Sequence, residues 1–242
     1  MPPILVLLPG MDGTGELFAP LLLALPRDIR TIVVRYPDRP LNYAGLREFI
    51  DAILPVDSPY VLLGESFSGP LAVSIASEHR SGLCGCILVA SFLRCPSSVL
   101  RRFPDLCAVF VPGLVPAWVL RSRLLGKHST PDLEQALQRA LAQVSDATMR
   151  YRLRALAQVD VSSRLAQVRI PCLYLQATDD RLVSPVHGQE LAGTGTDVRL
   201  ESFRAPHLLL QTAPARAAEV IAQFLRRAGV AQHARAHSGT SE

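Results

Sequence analysis

The chain has 242 residues, of which 49% are hydrophobic and 19% are charged, and its net charge is +4. This composition excludes a disordered chain, and the length suits one α/β domain with an insertion or two small domains. The five cysteines are odd in number and lack the spacing of a disulfide framework, so we expect free thiols in a reducing compartment.

The sequence predicts neither a leader peptide nor a membrane span. Met1-Pro2-Pro3 lacks the positive charges of a signal peptide, and the apolar run that follows ends at Pro9-Gly10. The longest other apolar tract, Leu106 to Leu120, is interrupted by two prolines and a glycine and is too short to cross a bilayer. We therefore expect a soluble, cytoplasmic protein.

Strand and helix signals alternate along most of the chain. Helical apolar spacing predicts helices over Glu16 to Leu25, Leu46 to Leu54, Pro70 to His79 and Pro214 to Arg227. Short apolar runs predict six strands, at Ile4 to Leu8, Thr31 to Tyr36, Tyr60 to Leu63, Cys86 to Ala90, Cys172 to Gln176 and Val198 to Phe203. This alternation predicts a mainly parallel sheet wrapped by helices, with ligands bound beyond the carboxyl ends of the strands.

Between Phe92 and Val168 the alternation stops and only helical patterns remain. Thr130 is a predicted helix cap, and a second helix follows with Met149, Leu153 and Leu156 on its apolar face. Residues 92–168 hold eleven basic and five acidic residues, a net charge of +6. Such a surface can attract an acidic partner or substrate, and it is equally typical of a solvated helix face.

A sharp change from strand to helix surrounds Ser66. The apolar strand ending at Leu63 is followed by Gly64-Glu65-Ser66-Phe67-Ser68-Gly69 and then by a helical pattern. Small residues on both sides of the serine suit a tight turn, which would expose the hydroxyl and the following amide. We interpret Ser66 as a nucleophile; the alternative is an ordinary serine between a strand and a helix.

The stretch resembles the nucleophile elbow of the α/β-hydrolase superfamily, G-x-S-x-G, with Ser68 in place of the second glycine. A serine nucleophile needs a histidine base and a carboxylate that orients it, and in this superfamily the acid and then the histidine follow the serine. Two predicted strands run into loops with Asp180 and His207, at the same sheet edge as Ser66. Asp180 precedes an apolar pair and a proline, as in the family's acid loop, although the neighbouring Asp179 remains an alternative.

The resemblance also implies an oxyanion hole of two backbone amides. One belongs to Phe67, and the other to Met11, because Pro9-Gly10-Met11 replaces the family's His-Gly-x loop. The glycine-rich run Asp12 to Gly15 lacks the spacing of a phosphate-binding loop, so nucleotide binding is not expected. Cys84-Gly85-Cys86 lies in an apolar run without a second pair at zinc spacing, so we expect neither a metal nor a cofactor.

The resemblance extends from about Ile4 to about Arg227 and implies the α/β-hydrolase fold. We expect residues 1–91 and 169–230 to form the core around a six-stranded sheet, residues 92–168 a helical lid, and residues 231–242 a disordered tail. The resemblance implies that apolar lid residues define the substrate pocket, although they could simply pack the lid onto the core. The pocket candidates with the largest side chains are Phe103, Phe110 and Trp118.

The predicted activity is hydrolysis of a carboxylic ester or thioester through an acyl-enzyme. The lid and its basic charge resemble those of the small carboxylesterases that release methyl esters from acyl carrier protein. Thioesterase or acyltransferase activity would use the same residues, and a ligand receptor with negligible turnover is an alternative of another class. The expected partners are a small ester or acyl substrate and an acyl carrier protein at the basic lid, without nucleic acid or stable membrane insertion.

Overall fold

A computed structural model describes residues 2–105, 115–192 and 197–238, except for the side chains of residues 192 and 231–238. Six strands form one sheet in the order β2-β1-β3-β4-β5-β6, and each neighbouring pair is parallel. The strands are β1 (Ile4–Leu8), β2 (Thr31–Val33), β3 (Tyr60–Glu65), β4 (Leu83–Val89), β5 (Cys172–Ala177) and β6 (Val198–Phe203). The predicted six-stranded, mostly parallel sheet is confirmed.

The described helices cover both faces of this sheet. They are α1 (Ala19–Ala24), α2 (Tyr43–Asp51), α3 (Gly69–Ala76), α4 (Ser98–Arg102), α5 (Ala117–Leu124), α6 (Pro131–Ala142), α7 (Asp146–Gln158), α8 (Ser162–Leu165), α9 (Val186–Ala192), α10 (Leu209–Thr212) and α11 (Pro214–Ser238). Three-residue 3-10 helices occupy Glu16–Phe18, Ser66–Ser68 and Gly126–His128. Across the parts of the chain with described coordinates, none of these helices combines the length and apolarity needed to cross a membrane.

The sheet separates two apolar layers, because alternate strand residues face opposite sides. In β1, Val6 points into the layer that contains α2 and α3, whereas Leu5 points into the layer that contains α1 and α11. Every residue of β1, β3, β4 and β5 is buried, which explains their nearly continuous apolar sequences. Burial on both faces holds the carboxyl ends of these strands as a rigid edge for the site.

The chain between β4 and β5 leaves the sheet and returns at nearly the same point. The Cys95 N–H donates to the Val159 carbonyl at 3.2 Å, and the Val161 N–H donates to the Leu93 carbonyl at 2.8 Å. Helices α4 to α7 lie between these contacts, and the Thr130 hydroxyl caps α6 as the sequence predicts. We call residues 93–161 the helical insertion.

The ends of two elements differ from the sequence interpretation. Strand β2 ends at Val33, because the Tyr36 N–H donates to the Gly13 carbonyl at 2.8 Å and draws the chain toward the loop after β1. Helix α11 continues to Ser238, so residues 231–238 are helical where we expected a disordered tail. That segment is rich in alanine and contains no proline, which favours continuation of the helix. Residues 239–242 lie outside the described part.

Candidate active site

Ser66 lies in a strained turn at the carboxyl end of β3. Its backbone φ is +50°, a left-handed conformation that is uncommon for a residue with a side chain. A Cβ on Gly64 would lie 2.6 Å from the Ser68 carbonyl oxygen, and a Cβ on Gly69 would lie 1.8 Å from the Ser91 hydroxyl. Glycine is therefore required at Gly64 for the chain to make this turn, and at Gly69 to leave room for the Ser91 side chain.

The structure brings Ser66, His207 and Asp180 into one hydrogen-bonded chain. His207 Nε2 lies 2.8 Å from Ser66 Oγ, and His207 Nδ1 lies 2.7 Å from Asp180 Oδ2. The three residues follow β3, β6 and β5 respectively, so the parallel sheet delivers them to one edge. The Asp180 side chain is 1% exposed and that of His207 is 6% exposed, which shields their interaction from water.

The two neighbouring aspartates face different surroundings. The Asp180 Oδ1 atom accepts hydrogen bonds from the amides of Leu182 at 2.7 Å and Val183 at 3.0 Å, which fixes the carboxylate toward His207. The Asp179 side chain is 35% exposed and lies 3.0 Å from the Lys127 ammonium. The hydrogen bond from Lys127 lowers the pKa of Asp179. Of the two, Asp180 has the position expected of the acid.

The Phe67 amide is oriented by the carbonyl group of its own peptide unit. The Ser66 carbonyl oxygen accepts a hydrogen bond from the Ser91 hydroxyl at 2.6 Å and another from the Gly69 N–H. Because the peptide is trans, the Phe67 N–H points away from these two groups. Ser91 is fully buried just after β4 and was not singled out by the sequence.

The Met11 amide is oriented in the same way. The Gly10 carbonyl accepts a hydrogen bond from the Gly13 N–H at 3.0 Å, which closes a turn over residues 10–13. The Met11 N–H of that trans peptide unit therefore points to the opposite side. Within the described residues, it has no hydrogen-bond acceptor.

Ser68 replaces the usual glycine of the elbow and links it to the loop after β1. Its hydroxyl donates to the Pro9 carbonyl and lies 2.7 Å from the Tyr36 hydroxyl. Since Ser68 has one hydrogen to donate, Tyr36 is the donor to Ser68. Burial raises the pKa of Tyr36 well above its ordinary value of 10, so its hydroxyl keeps its proton.

A buried carboxyl group immediately precedes Ser66 in the chain. Glu65 is 3% exposed, and its Oε1 atom accepts a hydrogen bond from Gln211 Nε2 at 3.0 Å. Desolvation by burial raises the pKa of Glu65 to about 7; the hydrogen bond from Gln211 opposes this rise, Asp12 adds to it and His207 opposes it. The protonation state of Glu65 therefore changes near neutral pH.

Two of the three aromatic residues proposed from sequence to line the pocket are exposed. Phe103 is 58% exposed and Trp118 is 65% exposed, and Trp118 borders a groove of about 120 Å³ that Leu137 and Leu141 also line. Phe110 lies outside the described residues. Their role in a substrate pocket therefore stays a prediction.

A nucleophile elbow with a Ser-His-Asp hydrogen-bonded chain, on a parallel sheet in this order, defines an α/β-hydrolase. Residues 42–212 match the family model Hydrolase_4, described as serine aminopeptidase, S33. The chain belongs to this family of α/β-hydrolases, and it is a hydrolase of esters or related substrates.

Two relatives and one solved structure show further similarities. The chain is 28% identical, over 222 residues, to a pimeloyl-[acyl-carrier protein] methyl ester esterase of Aromatoleum aromaticum, covering 83% of this chain and 89% of that protein. It is 35% identical over 125 residues to phytyl ester synthase 1 of Arabidopsis thaliana, covering 46% of this chain and 18% of the synthase. Among solved structures, an esterase of Exiguobacterium antarcticum superposes with a TM-score of 0.81 at 16% identity, covering 93% and 92% of the two chains.

Proposed function

We propose that the protein hydrolyses a carboxylic ester or thioester through an acyl-enzyme on Ser66. The observation that carries this proposal is the unbroken chain of hydrogen bonds from Ser66 through His207 to Asp180. With the Nδ1 proton directed to Asp180, the Nε2 atom of neutral His207 has a lone pair for the serine proton. The arrangement thus supplies a nucleophile, a base and a group that orients the base.

In the first half of the reaction, Ser66 Oγ attacks the carbonyl carbon and His207 Nε2 takes the hydroxyl proton. His207 then gives this proton to the departing alkoxide or thiolate, which leaves an acyl group on Ser66. In the second half, water loses a proton to His207 and attacks the acyl carbon, and His207 returns the proton to Ser66. Asp180 stays ionised and stabilises the imidazolium that forms in each half.

The amides of Met11 and Phe67 are the proposed donors to the oxyanion. Support comes from the carbonyls of their peptide units, because Gly13 holds the Gly10 carbonyl, and Ser91 holds the Ser66 carbonyl, on the other side. Donors fixed before the reaction stabilise developing charge without reorganisation, and losing one costs roughly 10²- to 10³-fold in kcat.

The test is the S66A variant, with S98A as its matched control because Ser98 is exposed on α4. We expect wild type and S98A to hydrolyse p-nitrophenyl esters and to carry a fluorophosphonate adduct on Ser66, whereas S66A should do neither. Turnover of S66A equal to wild type would overturn the proposal. Labelling of Ser66 without ester or thioester hydrolysis would overturn enzymatic function and favour a ligand receptor.

The helical insertion is the proposed lid over the acyl or alcohol pocket. Its residues Leu125, Leu137 and Ala140 pack against Leu17 and Leu208, next to His207. The Leu208 N–H also donates to the Leu124 carbonyl at 3.1 Å. These contacts support a lid that rests on the histidine loop, with Phe103, Phe110 and Trp118 as pocket candidates.

A second candidate function is release of an acyl ester or thioester from a carrier protein. It is favoured by a cavity of about 250 Å³ beside the acid and histidine loops, which Lys127, Arg181, Asp179 and Pro206 help to line. Exposed cations extend over α4, α5, the 3-10 helix Gly126–His128 and α6 of the insertion, at Arg101, Arg102, Arg121, Arg123, Lys127 and Arg139. The methyl ester esterase relative makes an acidic carrier protein the proposed partner.

Substrate panels at two salt concentrations separate these candidates. Turnover of a carrier-bound acyl ester should fall steeply between low and high salt, because salt screens exposed charges, whereas that of a small neutral ester should not. An equal salt response would contradict a carrier partner. Product analysis with an added long-chain alcohol tests acyl transfer, which the synthase relative suggests.

A cytoplasmic location is also part of the proposal. It is supported by Cys84, Cys86, Cys95 and Cys172, which are buried free thiols, as expected in a reducing compartment.

A further inference from the structure

One arginine of the helical insertion, Arg152, is buried, whereas Arg150 is half-buried and Arg154 is exposed. Arg152 is 1% exposed and lies on the face of α7 that also buries Met149 and Leu156. Burying a guanidinium is costly unless its donors are paired, so its partners indicate what the position is for. Desolvation lowers the pKa of Arg152, and the nearby Asp12 carboxylate opposes that change.

The partners of Arg152 all belong to loops beside the proposed oxyanion hole. Its Nη1 atom donates to the carbonyls of Met11 at 2.9 Å and Asp12 at 2.8 Å. Its Nη2 atom donates to the Pro37 carbonyl at 3.1 Å, and its guanidinium carbon lies 5.7 Å from the centre of the Tyr36 ring. One side chain from the insertion therefore joins two separate loops of the core.

With these bonds, five successive carbonyls of the loop after β1 are occupied. The acceptors and their donors are Pro9 with the Ser68 hydroxyl, Gly10 with the Gly13 amide, Met11 and Asp12 with the Arg152 guanidinium, and Gly13 with the Tyr36 amide. Fixing each carbonyl fixes the plane of its peptide unit. The direction of the Met11 N–H is thereby determined from both sides, by the peptide unit that contains it and by the next one.

The absence of a side chain at Gly13 leaves space for the Arg152 guanidinium. A Cβ at this position would lie 2.5 Å from Arg152 Nη1, and the backbone φ of Gly13 is +72°. The loop therefore leaves room for the arginine, which a lysine ammonium would not fill in the same way, because it lacks the planar fork of donors.

We propose that Arg152 is a positioning residue that holds the Met11 amide in the oxyanion hole from the helical insertion. The inference rests on the proposed function, because it assigns Arg152 to the same reaction. It also makes the insertion a structural part of the hole, in addition to any role as a cover.

The test compares kcat and KM on p-nitrophenyl esters for R152K and R152M with those of the control R154M, in full-length protein. Arg154 lies on the same helix with an exposed side chain, so R154M removes a charge without touching the loop. We expect kcat of both Arg152 variants to fall by roughly 10- to 100-fold, with KM within about threefold of wild type, since the amide acts mainly on the transition state. R154M should match wild type.

Thermal unfolding separates positioning from general loss of structure. R152K retains the charge and most of the aliphatic side chain, so its kinetics decide the test if R152M does not fold. A folded R152K with kcat within twofold of wild type would overturn the inference, as would a rise in KM with unchanged kcat. Failure of the proposed function looks different, because wild type itself would then show neither turnover nor a fluorophosphonate adduct on Ser66.

Discussion

The Tyr36 hydroxyl donates a hydrogen bond of 2.7 Å to the Ser68 hydroxyl, which donates in turn to the Pro9 carbonyl. This relay joins the loop after β2, which contains Tyr36, to the two loops that carry the proposed oxyanion hole. It also explains the departure from the family's elbow pattern: Ser68 uses its hydroxyl at the site of the usual glycine. The next residue, Gly69, provides the space that the Ser91 hydroxyl needs.

Replacing Ser68 by the family's usual glycine should therefore impair this protein. In S68G the Pro9 carbonyl and the Tyr36 hydroxyl lose their partner in a buried site, which should lower the free energy of unfolding by about 1–3 kcal/mol. We expect kcat on p-nitrophenyl esters to fall and KM to change little, because the loop that carries Met11 loses one of its anchors.

The control is S77A, since the Ser77 hydroxyl donates only to the nearby Ser74 carbonyl. Y36F removes the other end of the relay, so the effects of S68G and Y36F should be less than additive in the double variant. Additive effects on both kcat and stability would contradict a shared network.

Removing the Ser91 hydroxyl should act on the other proposed donor. S91A takes away the 2.6 Å hydrogen bond that holds the Ser66 carbonyl, and with it part of the restraint on the Phe67 amide. We expect kcat to fall by about 10-fold or more. The upper limit is the roughly 10²- to 10³-fold loss that follows removal of an oxyanion-hole donor. Steady-state kinetics of S91A and of the control S77A check this. An unchanged kcat of S91A would show that the hydrogen bond from the Gly69 N–H is enough to hold the Ser66 carbonyl.

Order along the chain was enough to predict which residues meet at the sheet edge. Ser66, Asp180 and His207 each follow a strand in a parallel sheet, and such strands end on the same side. The burial of the strands could also be predicted from the sequence, because strands buried on both faces have long apolar runs. These features depend on local sequence and on one topological rule.

The supporting residues could not be found in the same way. Arg152 lies between Met149 and Leu156 on an apolar helix face, and that misplaced charge is the signal that could have identified it. Its partners are backbone carbonyls more than a hundred positions away, and carbonyls have no sequence signature. The role of Ser91 could not be predicted from the sequence for a related reason, since the acceptor of its hydrogen bond is also a carbonyl.

The choice between the two aspartates leads to a paired prediction. D180N should lower kcat by roughly 10³- to 10⁴-fold, because an amide cannot stabilise the imidazolium and can favour the wrong tautomer of His207. D179N loses only its contact with Lys127, whose side chain is 60% exposed, and should remain within about twofold of wild type. Kinetics at saturating ester distinguish the two, and the reverse ranking would move the acid to Asp179.

The carboxyl group of Glu65 should make stability depend on pH. Burial raises its pKa in the folded protein from an ordinary value of 4.5 to about 7. Between these values the folded state retains a proton that the unfolded chain has lost, so the free energy of unfolding falls as pH rises. The fall begins near pH 4.5, ends slightly above pH 7, and amounts to about 3 kcal/mol from this group alone.

The E65Q variant isolates that contribution, because a glutamine oxygen can still accept the hydrogen bond from Gln211 while carrying no charge. Urea unfolding of wild type and E65Q at pH 5, 6, 7 and 8 cancels, in the difference between the two proteins, the titration of groups that do not interact with Glu65. We expect the stability of E65Q relative to wild type to rise by about 2.5 kcal/mol from pH 5 to pH 8. A difference that does not vary with pH would mean that Glu65 is ionised throughout and that a group other than Gln211 compensates its charge.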